Sequence, residues 1–329
     1  MTDQPDEIDD EADEADEINE ADEADDETGG FVSVEEFFAR SRADDDTPPG
    51  FRSGFVSLVG RPNVGKSTLI NQILGHKVSI VSDKPQTTRT QIRGIYERDD
   101  VQVVFVDTPG IHKPRTLMGQ RLNDTAIDAV GSGVDVVCLL VDATAPVGRG
   151  DAWVAERTPD DAVIIVNKCD LVDSDRVIDQ LARASEFSGE AWFPISAKTG
   201  VGVTALVDHL IARMPEGPRW YPSGTLSDVE DAVWVAELVR EQLLAVTREE
   251  LPHSIACRVT EWEGNRIRVE ILVERDSQKG MVIGKGGLVL KQVGTLARQS
   301  LPEGTFLDLH VRVDKDWQRR PASLDRLGY

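Results

Sequence analysis

The chain has 329 residues, of which 40% are hydrophobic and 29% charged, and it carries a formal net charge of −23. That length allows two compact domains plus tails, and no apolar run reaches the roughly 18–20 residues that would span a bilayer. The acidic opening MTDQPDEIDDEADE is the reverse of a basic-then-apolar secretory signal, so a cytoplasmic protein is expected.

The charge is unevenly spread. Residues 1–30 hold sixteen acids and no base, and residues 31–50 five acids against two arginines, so the body from Phe51 onward is only about −4. The repeated DEADEADEINEADEADDE has almost nothing apolar to bury and repels itself, which predicts a disordered extension over residues 1–50. Within it FVSVEEFFARSR, residues 31–42, has the pattern of a short amphipathic helix. Cys138, Cys169 and Cys257 lack metal-ligand or disulfide spacing and read as reduced thiols.

From Phe55 short β-branched runs alternate with helix-length amphipathic stretches, the pattern of a mostly parallel sheet covered by helices. Strands are expected at 55–60, 101–107, 134–142, 161–167 and 191–196, so an α/β domain fills 52–213. The Pro- and Gly-rich MPEGPRWYPSG then opens a linker over 214–227, whose composition permits a hinge but whose short length keeps the two domains close. A second, α+β domain over 228–329 reads as a helix at 228–248, strands at 254–262 and 266–275, a Gly-rich turn, a helix at 287–300 and a strand at 305–313. The six tryptophans, Trp153, Trp192, Trp220, Trp234, Trp262 and Trp317, fall at packing positions or element ends and read as core or boundary residues.

The first strand runs into Gly60-Arg61-Pro62-Asn63-Val64-Gly65-Lys66-Ser67, which fits GxxxxGK[ST] and opens a helix beginning at Thr68. Such a loop nests phosphate oxygens in backbone N–H groups at a helix N-terminus, with Lys66 reaching the β/γ-phosphates and Ser67 available to Mg²⁺. Asp107-Thr108-Pro109-Gly110 follows another strand and supplies an acid for the Mg²⁺ shell and a glycine N–H that senses the γ-phosphate. Asn167-Lys168-Cys169-Asp170 and Ser196-Ala197-Lys198 end two further strands and select the base. Asp170 would accept from guanine N1–H and the exocyclic amine, whereas adenine would leave a carboxylate unpaired, which implies GTP rather than ATP. Asn167 would brace the site, the Lys168 stem would pack along the base, and the Ala197 N–H would meet O6.

These ordered motifs resemble the translation-factor class of GTPases. The resemblance implies a first switch loop at Ser82–Thr90, within 76–93, whose Thr88, or alternatively Thr87, closes on Mg²⁺ beside Ser67 and Asp107. It also implies a second switch at 107–119. Where Ras-like proteins carry a water-orienting glutamine this chain has Ile111, which cannot orient water, so a scaffold with negligible hydrolysis is the rival reading. Asn63 matches the asparagine that in relatives helps hold K⁺ near the phosphates, a cation that could replace an arginine finger. Lys66, Asn63, Thr88 and Gly110 are the candidate catalytic residues, and His112 reads as a structural loop residue.

In the second domain Ile283-Gly284-Lys285-Gly286-Gly287 places GxxG between two helices after a pair of strands. This resembles a type II KH domain, whose loop lets a nucleotide backbone approach while an adjoining groove takes unstacked bases. Residues 266–329 hold twelve bases against eight acids, locally basic in an acidic chain. Taken with GRPNVGKST, PQTTR, DTPGIHKP, NKCD, SAKTG and VERDSQKGMVIGKGG, the chain over about 52–329 resembles the Era-type GTPases of bacteria. That resemblance implies a monomer that binds the single-stranded 3′ end of small-subunit rRNA, assists maturation of the small ribosomal subunit and in some cases touches the inner membrane peripherally. A two-P-loop relative is excluded by the single P-loop motif.

Overall fold

Side chains of a strand point alternately to opposite faces, so a strand buried on both faces must be apolar throughout and split its residues between two cores. In β4 (Val136–Asp142), Val136, Cys138 and Leu140 enter one core while Val137, Leu139 and Val141 enter the other; β5 (Val163–Asn167) divides Val163 and Ile165 from Ile164 and Val166 in the same way. The coordinates are a computed structural model that describes residues 47–114, 116–131, 133–247 and 251–329. The amphipathic helix expected at 31–42, and nearly all of the acidic extension, lie outside the described residues.

The sheet has the order β2-β3-β1-β4-β5-β6, with β1 spanning Arg52–Gly60, β2 Ile92–Arg98, β3 Val101–Asp107 and β6 Ala191–Pro194. All neighbours are parallel except β2, which pairs antiparallel with β3. β2 is absent from the strands expected above. It is an edge strand interrupted by Gly94 and rich in charge, so it shows no clean apolar run and pairs through a tight turn at Asp99-Asp100. Helices α1 (Lys66–Leu74) and α5 (Val203–Arg213) cover one face through Leu69, Ile70, Ile73, Leu206 and Leu210. On the other face lie α2 (Leu117–Asp128), α3 (Arg149–Ala155) and α4 (Ser174–Ala184), contributing Ala126, Val154 and Ala184. This doubly wound arrangement gathers the carboxyl ends of β1, β3, β4 and β5 at one rim, where ligands of such sheets bind.

The linker, whose composition permits a hinge, is held against the first domain. Ser53 Oγ donates to Pro218 O at 2.6 Å, Gln102 Oε1 accepts from Trp220 and Tyr221 N–H, and the Ile95 N–H donates to Leu226 O. Arg219 pairs with Glu97 and Arg93 with Asp228, so the segment is strapped to the edge of the sheet along its length.

The second domain begins with α6 (Asp231–Val246) and the short α7 (Leu251–Ser254), then β7 (Ala256–Glu263), β8 (Arg266–Val273), α8 (Asp276–Ile283), α9 (Leu288–Arg298) and β9 (Phe306–Val313). Its sheet is β7-β8-β9, antiparallel between β7 and β8, parallel between β8 and β9, with an irregularity at Val259/Glu261. A 3-10 turn at Trp317–Arg319 and α10 (Pro321–Leu327) follow β9; both lie beyond the last element expected from the sequence. Their role is visible in a separate apolar cluster, where Met118 and Leu122 of α2 meet Ala256, Leu272, Trp317 and Leu324. Among the tryptophans, Trp317 is fully buried in the core, whereas Trp262 is 44% exposed at the far end of β7, a boundary position. No described helix is long and apolar enough to cross a membrane.

Candidate active site

The P-loop turns sharply from β1 into α1. Gly65 takes a φ of 101°, and a Cβ there would stand 2.3 Å from Asn167 Nδ2, so both backbone conformation and close approach exclude a side chain. That Asn167 Nδ2 donates to Val64 O at 2.8 Å, while Asn167 Oδ1 accepts from the Ala197 N–H at 2.9 Å. One buried amide thus ties the P-loop to both base-side loops. The Ala197 N–H, expected to meet guanine O6, is therefore engaged by Asn167.

Lys66 is buried, and among the described residues its Nζ donates to Gly60 O at 3.5 Å and Arg61 O at 3.4 Å. Burial lowers its pKa to about 8, partly offset by Asp107. Asp107 ends β3 in full burial, which raises its pKa against the opposing pull of Lys66 and of neighbouring hydroxyls. Its Oδ2 accepts from Ser67 Oγ at 2.6 Å, Ser79 Oγ at 2.7 Å and Thr88 Oγ1 at 3.3 Å, and Ser67 Oγ lies 2.9 Å from Thr88 Oγ1. The other oxygen, Oδ1, is buried without a hydrogen-bond partner among the described residues. A carboxylate oxygen left bare beside three hydroxyls is a donor set that suits a hard cation or its water.

Thr88, not Thr87, points into this cluster: Thr87 Oγ1 donates to Lys84 O at 2.6 Å in a local turn. Asn63, with φ 65°, donates its Nδ2 to Asp83 O at 2.6 Å and so joins the P-loop to the first switch loop. Gln86 Nε2 lies 2.7 Å from His112 Nε2, and His112 also bonds Gly110 O and exchanges two bonds with Asn123, a loop-bracing set of contacts. Thr108 Oγ1 donates to Leu58 O, locking the turn ahead of Pro109. The Ile111 side chain is 1% exposed and packs in the core beside Ala126 and Leu139, not toward the phosphates; its N–H donates to Gly60 O.

A cavity of about 370 Å³ is lined by Pro62, Asn63, Gly65, Lys66, Ser67, Thr68, residues 80–83, Gln86, Thr87, Thr88, Gly110 and Lys168. A neighbouring groove carries Ala197 and Lys198 beside Thr68 and Gln72. Asp170 is exposed on the 3-10 turn Cys169–Leu171, and Cys169 is anchored through its N–H to Ile195 O. The Ser196 Oγ accepts from the Thr199 N–H, shaping the last loop.

Two site residues escaped the sequence reading. Ser79 sits in an apolar run with no motif around it. Asp142 ends β4 and holds Lys168 Nζ at 2.6 Å; burial opposes its charge, but Lys168 and two Thr144 donors outweigh it and keep the pKa low. An acid at the end of a buried strand was the available signal.

In the second domain Gly284 joins α8 to the turn Lys285–Gly287 with a φ of 74°, and a Cβ there would meet Val289 at 2.4 Å. Lys285 and Gly286 are exposed, Ile283 and Gly287 half-buried, and the exposed apolar side chains of Met281 and Leu288 flank the loop.

A nucleotide pocket at the rim of a doubly wound sheet, joined to an α-β-β-α-α-β domain with a GxxG loop, defines a P-loop GTPase that carries a KH domain. The family model for "50S ribosome-binding GTPase" matches residues 55–168, and the KH domain model residues 250–318. GTPase Era of Mycobacterium avium is 48% identical over 297 residues, covering 85% of this chain and 99% of its own; that of Mycobacterium tuberculosis is 47% identical over 298 residues, with the same coverage. The chain belongs to the GTPase Era family. A crystal structure of Era in complex with MgGDPNP and nucleotides 1506–1542 of 16S ribosomal RNA superposes with a TM-score of 0.80 at 34% identity, covering 85% of this chain and 99% of that one. An Aquifex aeolicus Era variant bound to GDP and AlF4⁻ gives 0.79 at the same identity and coverage. This chain is accordingly a GTPase, which binds GTP and hydrolyses it to GDP and phosphate.

Proposed function

We propose that this GTPase binds the single-stranded 3′ end of 16S rRNA through its KH domain and assists maturation of the small ribosomal subunit in the cytoplasm, acting as a monomer. The observation that carries the reading is the GxxG turn, with its exposed Lys285 and apolar flanks Met281 and Leu288, in a chain 34% identical to an Era protein crystallised with that RNA segment. Glycines 284, 286 and 287 admit the sugar-phosphate backbone, Lys285 contacts a phosphate, and Ile283 faces the bases.

At the nucleotide site, the P-loop residues 60–68 hold the phosphates, Gly110 senses the γ-phosphate, and Asp170, with Asn167, Lys168 and the loop at 196–198, reads guanine. Ser67, Thr88 and Asp107 suit Mg²⁺, since Asp107 Oδ1 is unsatisfied while three hydroxyls crowd Oδ2. Bound there, Mg²⁺ neutralises charge on the β- and γ-oxygens. Asn63 holds a K⁺ ion near the same phosphates, an assignment favoured by Ile111 being turned into the core.

Ultraviolet crosslinking in cells, followed by sequencing of the attached RNA, tests the main claim. Reads piled on the 16S 3′ end support it; reads spread evenly over the transcriptome, or centred on another RNA, refute it.

A further inference from the structure

The residues on either side of Thr88 are held by the KH half of the molecule. The Thr87 carbonyl accepts from the Arg240 guanidinium of α6, a side chain with no exposure that also pairs with Glu237 through Nε at 2.7 Å. Arg89, 3% exposed, donates to Ile255 O at 2.6 Å, and its guanidinium lies 5.7 Å from the Trp317 ring and 5.8 Å from the Tyr329 ring. Upstream, Glu241 accepts from the Val81 N–H at 3.0 Å and pairs with Lys77.

Buried arginines with planar, multi-donor heads fix a peptide far more tightly than a solvated loop fixes itself, and cation–π contact with two aromatic rings adds to the restraint on Arg89. With both neighbouring residues immobilised, the Thr88 hydroxyl has little choice of direction. It points at Ser67 and Asp107.

We propose that Arg89 and Arg240 are positioning residues for Thr88, so that the KH domain sets the order of the first switch loop around the metal site. The inference rests on the reading of Thr88 as a magnesium-site residue. It assigns to these arginines a role in the reaction beyond joining two domains: they lower the entropic cost of bringing Thr88 to the cation when the γ-phosphate is present. Binding of GDP, which lacks that phosphate, should not depend on them.

The full-length chain is compared with Arg89→Met, Arg240→Lys and Thr88→Ala. For each, the Mg²⁺ midpoint for binding a fluorescent non-hydrolysable GTP analogue and that for fluorescent GDP are measured, together with kcat, KM and the melting temperature. Hydrogen exchange over residues 82–93 reports the loop's order independently of turnover. The expected result is a roughly tenfold higher Mg²⁺ midpoint with the triphosphate only, a lower kcat at similar KM, and faster exchange at 82–93 in both arginine variants. Adding Thr88→Ala to Arg89→Met should bring no further shift, because both changes remove one interaction. Should Arg240→Lys fail to fold, Arg89→Met carries the comparison alone. A shifted Thr88→Ala beside arginine variants with wild-type midpoints and exchange overturns the positioning role alone. An unshifted Thr88→Ala overturns the threonine assignment and the positioning role with it.

Discussion

At the scale of single residues, the site is built on two buried charges that burial pushes toward neutrality. Lys66, with its pKa lowered from 10.5 to about 8, costs stability below pH 8 and releases that cost as the pH rises from about 8 toward 10.5, where the unfolded chain still binds the proton and the folded one does not. A phosphate beside the ammonium reverses the shift. GTP binding should therefore take up a proton on Lys66 at pH 8.5, where the terminal phosphate is already fully ionised, visible as a buffer-dependent binding enthalpy in calorimetry. Enthalpies independent of buffer at pH 8.5 would contradict it. Asp170 stands in solvent on its 3-10 turn, free to meet a base. Asp170→Asn should exchange guanine preference, about 10⁴-fold at most, for xanthine, since an amide reverses part of the donor pattern; competition binding with the two nucleotides reads the switch. Asn63 offers the third residue-scale test. K⁺ should speed turnover relative to Na⁺ at saturating Mg²⁺, and Asn63→Ala should make the two salts equal.

Elements decide what these residues can reach. Four strands deliver their carboxyl ends to one rim, and Asn167, Asp107 and Asp142 occupy three of those ends. Strand-end motifs were legible because the chemistry is confined to a few positions after each apolar run. The edge strand β2 was not legible, since half-exposed, charged edge strands lack the signal that burial writes into central ones. The turn between α8 and α9 is the corresponding device in the KH domain. Gly284 cannot carry a Cβ there without displacing Val289, and Gly287 also holds a positive φ. Replacing both with Asp should abolish binding of single-stranded RNA, by strain and by repulsion of phosphate, while GTP affinity stays within about twofold. Filter binding and nucleotide titration on the same preparation separate the two effects, and loss of both affinities would mark a folding defect instead.

At the scale of the whole molecule, both switch segments touch the KH half. Lys77, Val81, Thr87 and Arg89 meet α6 and the 255 region, while Met118, at the end of the 107–119 segment, packs with Ala256, Leu272, Trp317 and Leu324, and Arg121 just beyond it donates to Asp325 Oδ1 at 2.6 Å and to Tyr329 O at 2.5 Å. If these contacts change when the γ-phosphate is bound, nucleotide and RNA binding are linked through them, and linkage is reciprocal. If GTP alters RNA affinity by a typical 1–3 kcal/mol, RNA alters GTP affinity by the same factor. Calorimetric titration of RNA matching the 16S 3′ end into protein loaded with GDP or a GTP analogue measures the coupling. Equal affinities in the two states would leave two sites on one chain without a switch between them.

The primary structure alone determined the nucleotide motifs, the α/β class of the first domain and the GxxG loop of the second. Each rests on local rules, namely glycine where a backbone must approach, an acid or asparagine at a strand end, and apolar alternation where a sheet is covered on both sides. Tertiary structure alone decided which of Thr87 and Thr88 faces Asp107, that Ile111 turns into the core, that the Pro-rich linker is a strap, and that Arg89 and Arg240 grip the first switch loop. Those outcomes join residues as far apart in the chain as Arg89 and Ile255 or Thr87 and Arg240. No local pattern encodes such pairs, because a buried arginine and an exposed one read alike until the surfaces that enclose it have come together.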